Sequence, residues 1–122
     1  MSSFIRPQRR PLTQEERALL EWPIANGSAD AKEYSPQVEQ LSVVGACTCG
    51  CPTIDVARGG REQHKTAPSK ILADFLGRTP EGLEVGVVLH AREGEISELE
   101  VYATTAVKES FRLPLIESLK QF

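Results

Sequence analysis

Apolar and polar residues alternate most regularly over residues 83–103. Leu83, Val85, Val87 and Leu89 interleave with Glu84, Gly86, Val88 and His90, and Leu99, Val101 and Ala103 interleave with Glu98, Glu100 and Tyr102. A period of two predicts half-buried strands, here joined as a hairpin through Arg92-Glu93-Gly94. A two-residue Glu93-Gly94 loop would set Val87 against Glu100 and mix carboxylates into the apolar face. A three-residue loop pairs Val87 with Leu99, Val85 with Val101 and His90 with Ile96, with Gly94 in the left-handed position such loops need. A one-residue slip turns every side chain over, so the apolar match selects the three-residue loop.

Upstream, Val43, Val44, Thr48, Thr53, Ile54 and Val56 are strand formers around a turn at Cys49-Gly50-Cys51-Pro52. Pairing about that turn sets Cys47 opposite Ile54 and Gly45 opposite Val56. This places Cys47 and Cys49 on the face of Ile54 and Val56. Ile71 to Leu76 reads as a further strand, and Thr79-Pro80-Glu81-Gly82 suits a type I turn.

The N-terminal third has helical spacing instead. Thr13-Gln14-Glu15-Glu16 is a capping box with Leu12 at the staple position, and Leu19, Leu20, Trp22 and Ile24 share one face. Pro23 is expected to kink or stop the helix, and Asn26-Gly27 to end it. Ser28 caps a second short helix, and Ser35-Pro36 starts a third that ends near Leu41. Residues 1–11 read as an extended arm, 58–69 as a mobile polar loop and 106–122 as a tail with a short helical turn. The expected fold is a single α+β domain over 1–122, with helices at 12–41 packed on an antiparallel meander sheet of about five strands at 42–105.

Composition agrees with a globular chain: 122 residues, 40% hydrophobic and 25% charged. No apolar run approaches the ~18 residues of a membrane span, and the N-terminus has no apolar signal region. Three crowded cysteines do not make a secreted disulfide framework, so reduced thiols in a cytoplasm are expected. A net charge of −3 excludes a global basic field for nucleic acid. Charge is uneven: Arg6, Arg9 and Arg10 precede any acid, while Glu81, Glu84, Glu93, Glu95, Glu98 and Glu100 face Arg92 alone.

Reactive residue types cluster only at Cys47-Thr48-Cys49-Gly50-Cys51. Three thiolates with His64 or His90 would complete a tetrahedral zinc set. However, C-x-C-x-C on an extended strand spreads its sulfurs along one face, so small buried hydrophobes are the favoured reading. Cys47, Cys49, Cys51, His64 and His90 therefore stand as second-ranked metal candidates, and no cofactor is implied. Neither histidine has an evident orienting group for a Cys-His nucleophile. Asp55 and Asp74 could pair across strands as hydrolytic carboxylates, the third-ranked reading.

Arg10-Pro11-Leu12-Thr13 with Glu15-Glu16 and Leu19-Leu20, and Cys47-Thr48-Cys49-Gly50-Cys51-Pro52-Thr53-Ile54, resemble the opening and the central motif of a family of small bacterial proteins catalogued as a domain of unknown function. The two stretches cover under a third of the chain. The resemblance implies a bacterial origin and assigns no activity or site residue. The favoured functional expectation is a non-enzymatic interaction or accessory module, working through its sheet face or an edge strand on a protein partner. A zinc-binding or thiol-redox protein is the alternative.

Overall fold

A computed structural model of the chain describes residues 5–48, 50–59, 68–107 and 109–121. Strand β1 (Ile5–Pro11) leads into helices α1 (Gln14–Asn26) and α2 (Ala29–Lys32) and a 3-10 helix over Ser35–Gln40. Then follow β2 (Leu41–Cys47), β3 (Ile54–Arg58), β4 (Lys70–Arg78), β5 (Glu84–Arg92) and β6 (Glu95–Ala103). A 3-10 turn at Ile116–Ser118 and a short β7 (Lys120–Gln121) end the chain. The α+β class stands. Among the described residues the sheet has seven antiparallel strands rather than about five, in the order β1-β2-β3-β6-β5-β4-β7. Two three-strand meanders are joined edge to edge through β3 and β6, so the chain crosses over between β3 and β4. The two added strands are the edges, built from segments expected to be an arm and a tail.

The arm pairs because Ile5, Arg6 and Pro7 meet Cys47, Ala46 and Gly45, and Arg10 and Pro11 meet Val43 and Ser42. Proline is tolerated there because an edge strand has a side with no ladder to make. Arg10 then fastens the arm to α1 through two hydrogen bonds to the Glu16 carboxylate, each 2.8 Å. Glu16 also accepts from the Thr13 backbone N–H (2.9 Å), and its own N–H donates to Thr13 Oγ1 (3.1 Å), closing the expected capping box. Ser28 caps α2 by accepting from the Ala31 N–H.

Helix α1 runs through Pro23, so it does not stop there, and ends at Asn26-Gly27 as expected. The interruption costs about 3 kcal/mol. Leu19, Leu20 and Ile24 lie buried on either side of it, and burying each such side chain contributes roughly 1.5–3 kcal/mol. Trp22 packs edge-on against Phe75 of β4, with centroids 5.1 Å apart. The helices cover the face formed by Val43, Ile54, Val56, Phe75, Val85, Val87, Leu89, Leu99 and Val101, all nearly inaccessible. No helix among the described residues is long and apolar enough to cross a membrane.

The β5–β6 register differs from the one expected. Val87 lies opposite Val101, Val85 opposite Ala103 and Leu89 opposite Leu99. The loop is the two-residue Glu93-Gly94, with both residues at positive φ (52° and 79°), as a type I′ turn requires. Ser97 is an extra residue between the Ala91–Ile96 and His90–Glu98 pairs, and this bulge restores the apolar match that the longer loop was meant to supply. The side chain of Gln37 holds the turn, donating to Gly94 O and accepting from the Ile96 N–H, both at 2.9 Å.

The cysteine hairpin is shifted as well. Ala46, not Cys47, lies opposite Ile54; Gly45 faces Asp55 and Val43 faces Val56, with a bulge between Val43 and Gly45. Cys47 therefore points to the face away from Ile54. The 79–82 turn forms as expected, with the Gly82 N–H donating to Thr79 O at 2.8 Å. The predicted mobile loop lies largely in 60–67, outside the described residues.

Two stability predictions follow from this geometry. Replacing Glu93 by Asn, which tolerates the left-handed region better, should raise stability by roughly 0.5–1 kcal/mol in urea unfolding. Glu16→Ala should cost roughly 1–3 kcal/mol at neutral pH. Burial alone would raise the Glu16 carboxyl, but the bonds from Arg10 and Thr13 outweigh it and hold the pKa below its ordinary value. A depressed folded-state pKa adds stability above the unfolded value near 4.5 that is lost as pH falls through the folded value. The gap between wild type and Glu16→Gln should accordingly shrink on acidification below pH 4.5, and a gap independent of pH would contradict it.

Candidate functional site

The second face of the sheet carries side chains that the core does not use. Because the pleat alternates, Asp55, Glu98 and His90 form a row across β3, β6 and β5, followed on β4 by Ile71. The next row runs Glu100, Val88, Asp74. Tyr102 lies over Gly86 on the same face, close enough that a Cβ at Gly86 would collide with its ring.

His90 is the centre of this arrangement. Its Nε2 lies 2.8 Å from Glu100 Oε1, while Nδ1 is buried with no hydrogen-bond partner among the described residues. One ligand atom from each of His90, Glu98 and Glu100 lies within 4.8 Å of the others, and all three residues are half-buried. The hydrogen bond to Glu100 raises the imidazole pKa above 6.5, against burial, with the Glu98 charge adding to it. That bond also lowers the Glu100 carboxyl. Glu98 goes the other way: burial raises it, the His90 charge opposes that rise, and the Asp55 and Glu100 charges add to it. Two carboxylates on one strand, two residues apart, are thus driven in opposite directions.

This cluster corrects three expectations. His90 does have a charged partner, because the bulge puts it opposite Glu98 instead of Ile96. Asp55 and Asp74 share a face but not a site, since β6 and β5 separate their strands by about 14 Å in all. Cys47 is half-exposed rather than buried, because its side chain leaves the core face, and Cys51 is half-exposed too. Cys51 Sγ lies 3.4 Å from Thr53 Oγ1. Neither thiol joins a three-ligand group among the described residues. Cys49 and His64 lie outside them. Glu98 and Glu100 were the residues sequence reasoning passed over; their polar places in an alternating strand opposite His90 were the available signal.

The outer edge of β4 is a second feature. β4 spans nine residues, but among the described residues β7 pairs only with Phe75 and Leu76, and the Lys70–Asp74 stretch pairs with β5 alone. A groove of about 330 Å³ runs beside that stretch, lined by Gly27, Ser28 and residues 71–75. Ile71 is 58% exposed at its mouth, and Lys70 pairs with Asp30 across its end at 3.2 Å.

NMR titration of the His90 ring should give a midpoint above 6.5, and Glu100→Gln should bring it down; an unchanged midpoint in that variant would show the contact is absent in solution. Comparison with protein-family models, with curated proteins and with solved structures returns no match for this chain.

Proposed function

We propose that this chain is a small non-enzymatic interaction module whose protein partner adds an extended strand along β4 beyond β7. The observation that carries this reading is the Lys70–Asp74 stretch, which has no second strand partner among the described residues and lies beside an open groove. A strand edge presents alternating N–H and C=O groups that another extended chain can satisfy, with side-chain pockets supplying selectivity. Sheet edges in monomers are ordinarily blunted by proline, charge or very short length. β1 has Pro7 and Pro11, and β7 is two residues long. The exposed end of β4 has no proline and presents Ile71 to solvent. Exposed Asp74 beside Ile71 favours a partner segment with an apolar residue next to a cationic one.

A peptide library selected on the folded chain tests this. Selected peptides should perturb the amides of residues 70–74 in NMR spectra and lose binding when alternate peptide nitrogens are methylated. Ile71→Lys should leave the unfolding temperature within a few degrees and weaken binding by more than about tenfold, since charge on an edge opposes pairing. Peptides that map elsewhere, or that tolerate N-methylation at every position, would overturn the reading.

A further inference from the structure

Independently of strand docking, we infer that His90, Glu98 and Glu100 form a binding site for one divalent transition-metal cation, with zinc the best match to the donors. The site offers one imidazole nitrogen and two carboxylates, with ligand atoms already within 4.8 Å of one another. Ligand bonds of about 2.0–2.2 Å to a shared ion require separations of that order or smaller. A mixed nitrogen and oxygen set favours zinc over magnesium or calcium, which prefer all-oxygen shells and more ligands.

The backbone preorganises the set. His90 and Glu98 are cross-strand partners on β5 and β6, and Glu100 is the next residue of the same face on β6. No loop has to order, so little conformational entropy is lost on binding. Asp55, buried and directly opposite Glu98, adds negative charge behind the ligands, with Arg92 the nearby cation. A divalent ion would offset the like charge that Asp55 and Glu100 place beside Glu98. Three protein ligands leave further coordination positions for water or an outside donor. The half-exposed state of all three side chains leaves a route for the ion.

Isothermal titration calorimetry with zinc chloride tests the inference on the full chain, beside a variant with Cys47, Cys49 and Cys51 all changed to serine. Both should bind one zinc with affinities within about twofold. Glu98→Gln and Glu100→Gln, made separately in the cysteine-free background, should each weaken binding by more than about tenfold, and magnesium should bind more weakly than zinc. Metal-free thermal unfolding controls for folding; Glu98→Gln removes one of several like charges and should unfold no earlier than its parent. Zinc binding that disappears with the cysteines, or that is unchanged in both glutamine variants, would overturn the site, as would no binding to the cysteine-free protein. None of these results depends on peptide binding at β4.

Discussion

Ser97 is one residue more in β6 than β5 can pair, and the division of the sheet into two chemically different faces depends on it. The tight turn at Glu93-Gly94 would otherwise set Val87 against Glu100 and alternate carboxylates with valines beneath α1. With the extra residue inserted, Leu99 and Val101 meet Leu89 and Val87 on the core face, and Glu98 and Glu100 turn to the other. Ser97 is itself buried, and its hydroxyl donates to His90 O at 3.2 Å, so the interrupted ladder is bonded at the interruption. The residue that protects the core therefore also delivers Glu98 to the position opposite His90.

Edges are the second constraint. Joining two meanders through β3 and β6 puts β1 and β7 at the outside, and the β3–β6 seam is short: Ile54 with Leu99, Asp55 with Glu98. Thr53 lengthens it with a side chain, its Oγ1 accepting from the Val101 N–H at 2.9 Å and donating to Val101 O at 3.1 Å. At the far edge, the tail closes over Gly77, where a Cβ would meet Leu119 and Pro114, and Ser118 Oγ accepts from the Arg78 N–H at 2.8 Å. This fixes β7 against Phe75 and Leu76, and among the described residues the Lys70–Asp74 half of β4 pairs with β5 only.

What was legible in the sequence was local chemistry. The Thr13–Glu16 capping box, the Ser28 cap, the turn at 79–82 and the strand character around Val43–Val44, Ile54–Val56, Ile71–Leu76, Leu83–His90 and Glu98–Ala103 all follow from neighbours a few residues apart. What was not legible depended on pairs distant along the chain. Bulges at Val44 and Ser97 leave no strong residue signature, yet each shifts a register, and those shifts moved Cys47 off the core face and brought His90 to Glu98. The arm became a strand only because β2 offers an edge to it. Pro23 was tolerated because the burial of its neighbours outweighs a local cost that the sequence alone makes look decisive.

The two features of the open side are contiguous, which bears on how each can act. Ile71, at the mouth of the groove, is the β4 partner of His90. A strand added outside Ile71 would lie about two strand spacings, roughly 9–10 Å, from the imidazole. The same row continues through Glu98 to Asp55, so charge placed at one end is separated from the other only by the width of four strands. Gathering Asp55, Glu98 and Glu100 beside one imidazole costs folding free energy, because half-buried like charges repel at reduced dielectric. An apolar open face would avoid that cost but would add surface prone to self-association beside an edge already exposed. Charge on the face and a free edge beside it are compatible only because they lie on different surfaces of the same strand pair: the side chains point out of the sheet, whereas the backbone groups of β4 lie in its plane.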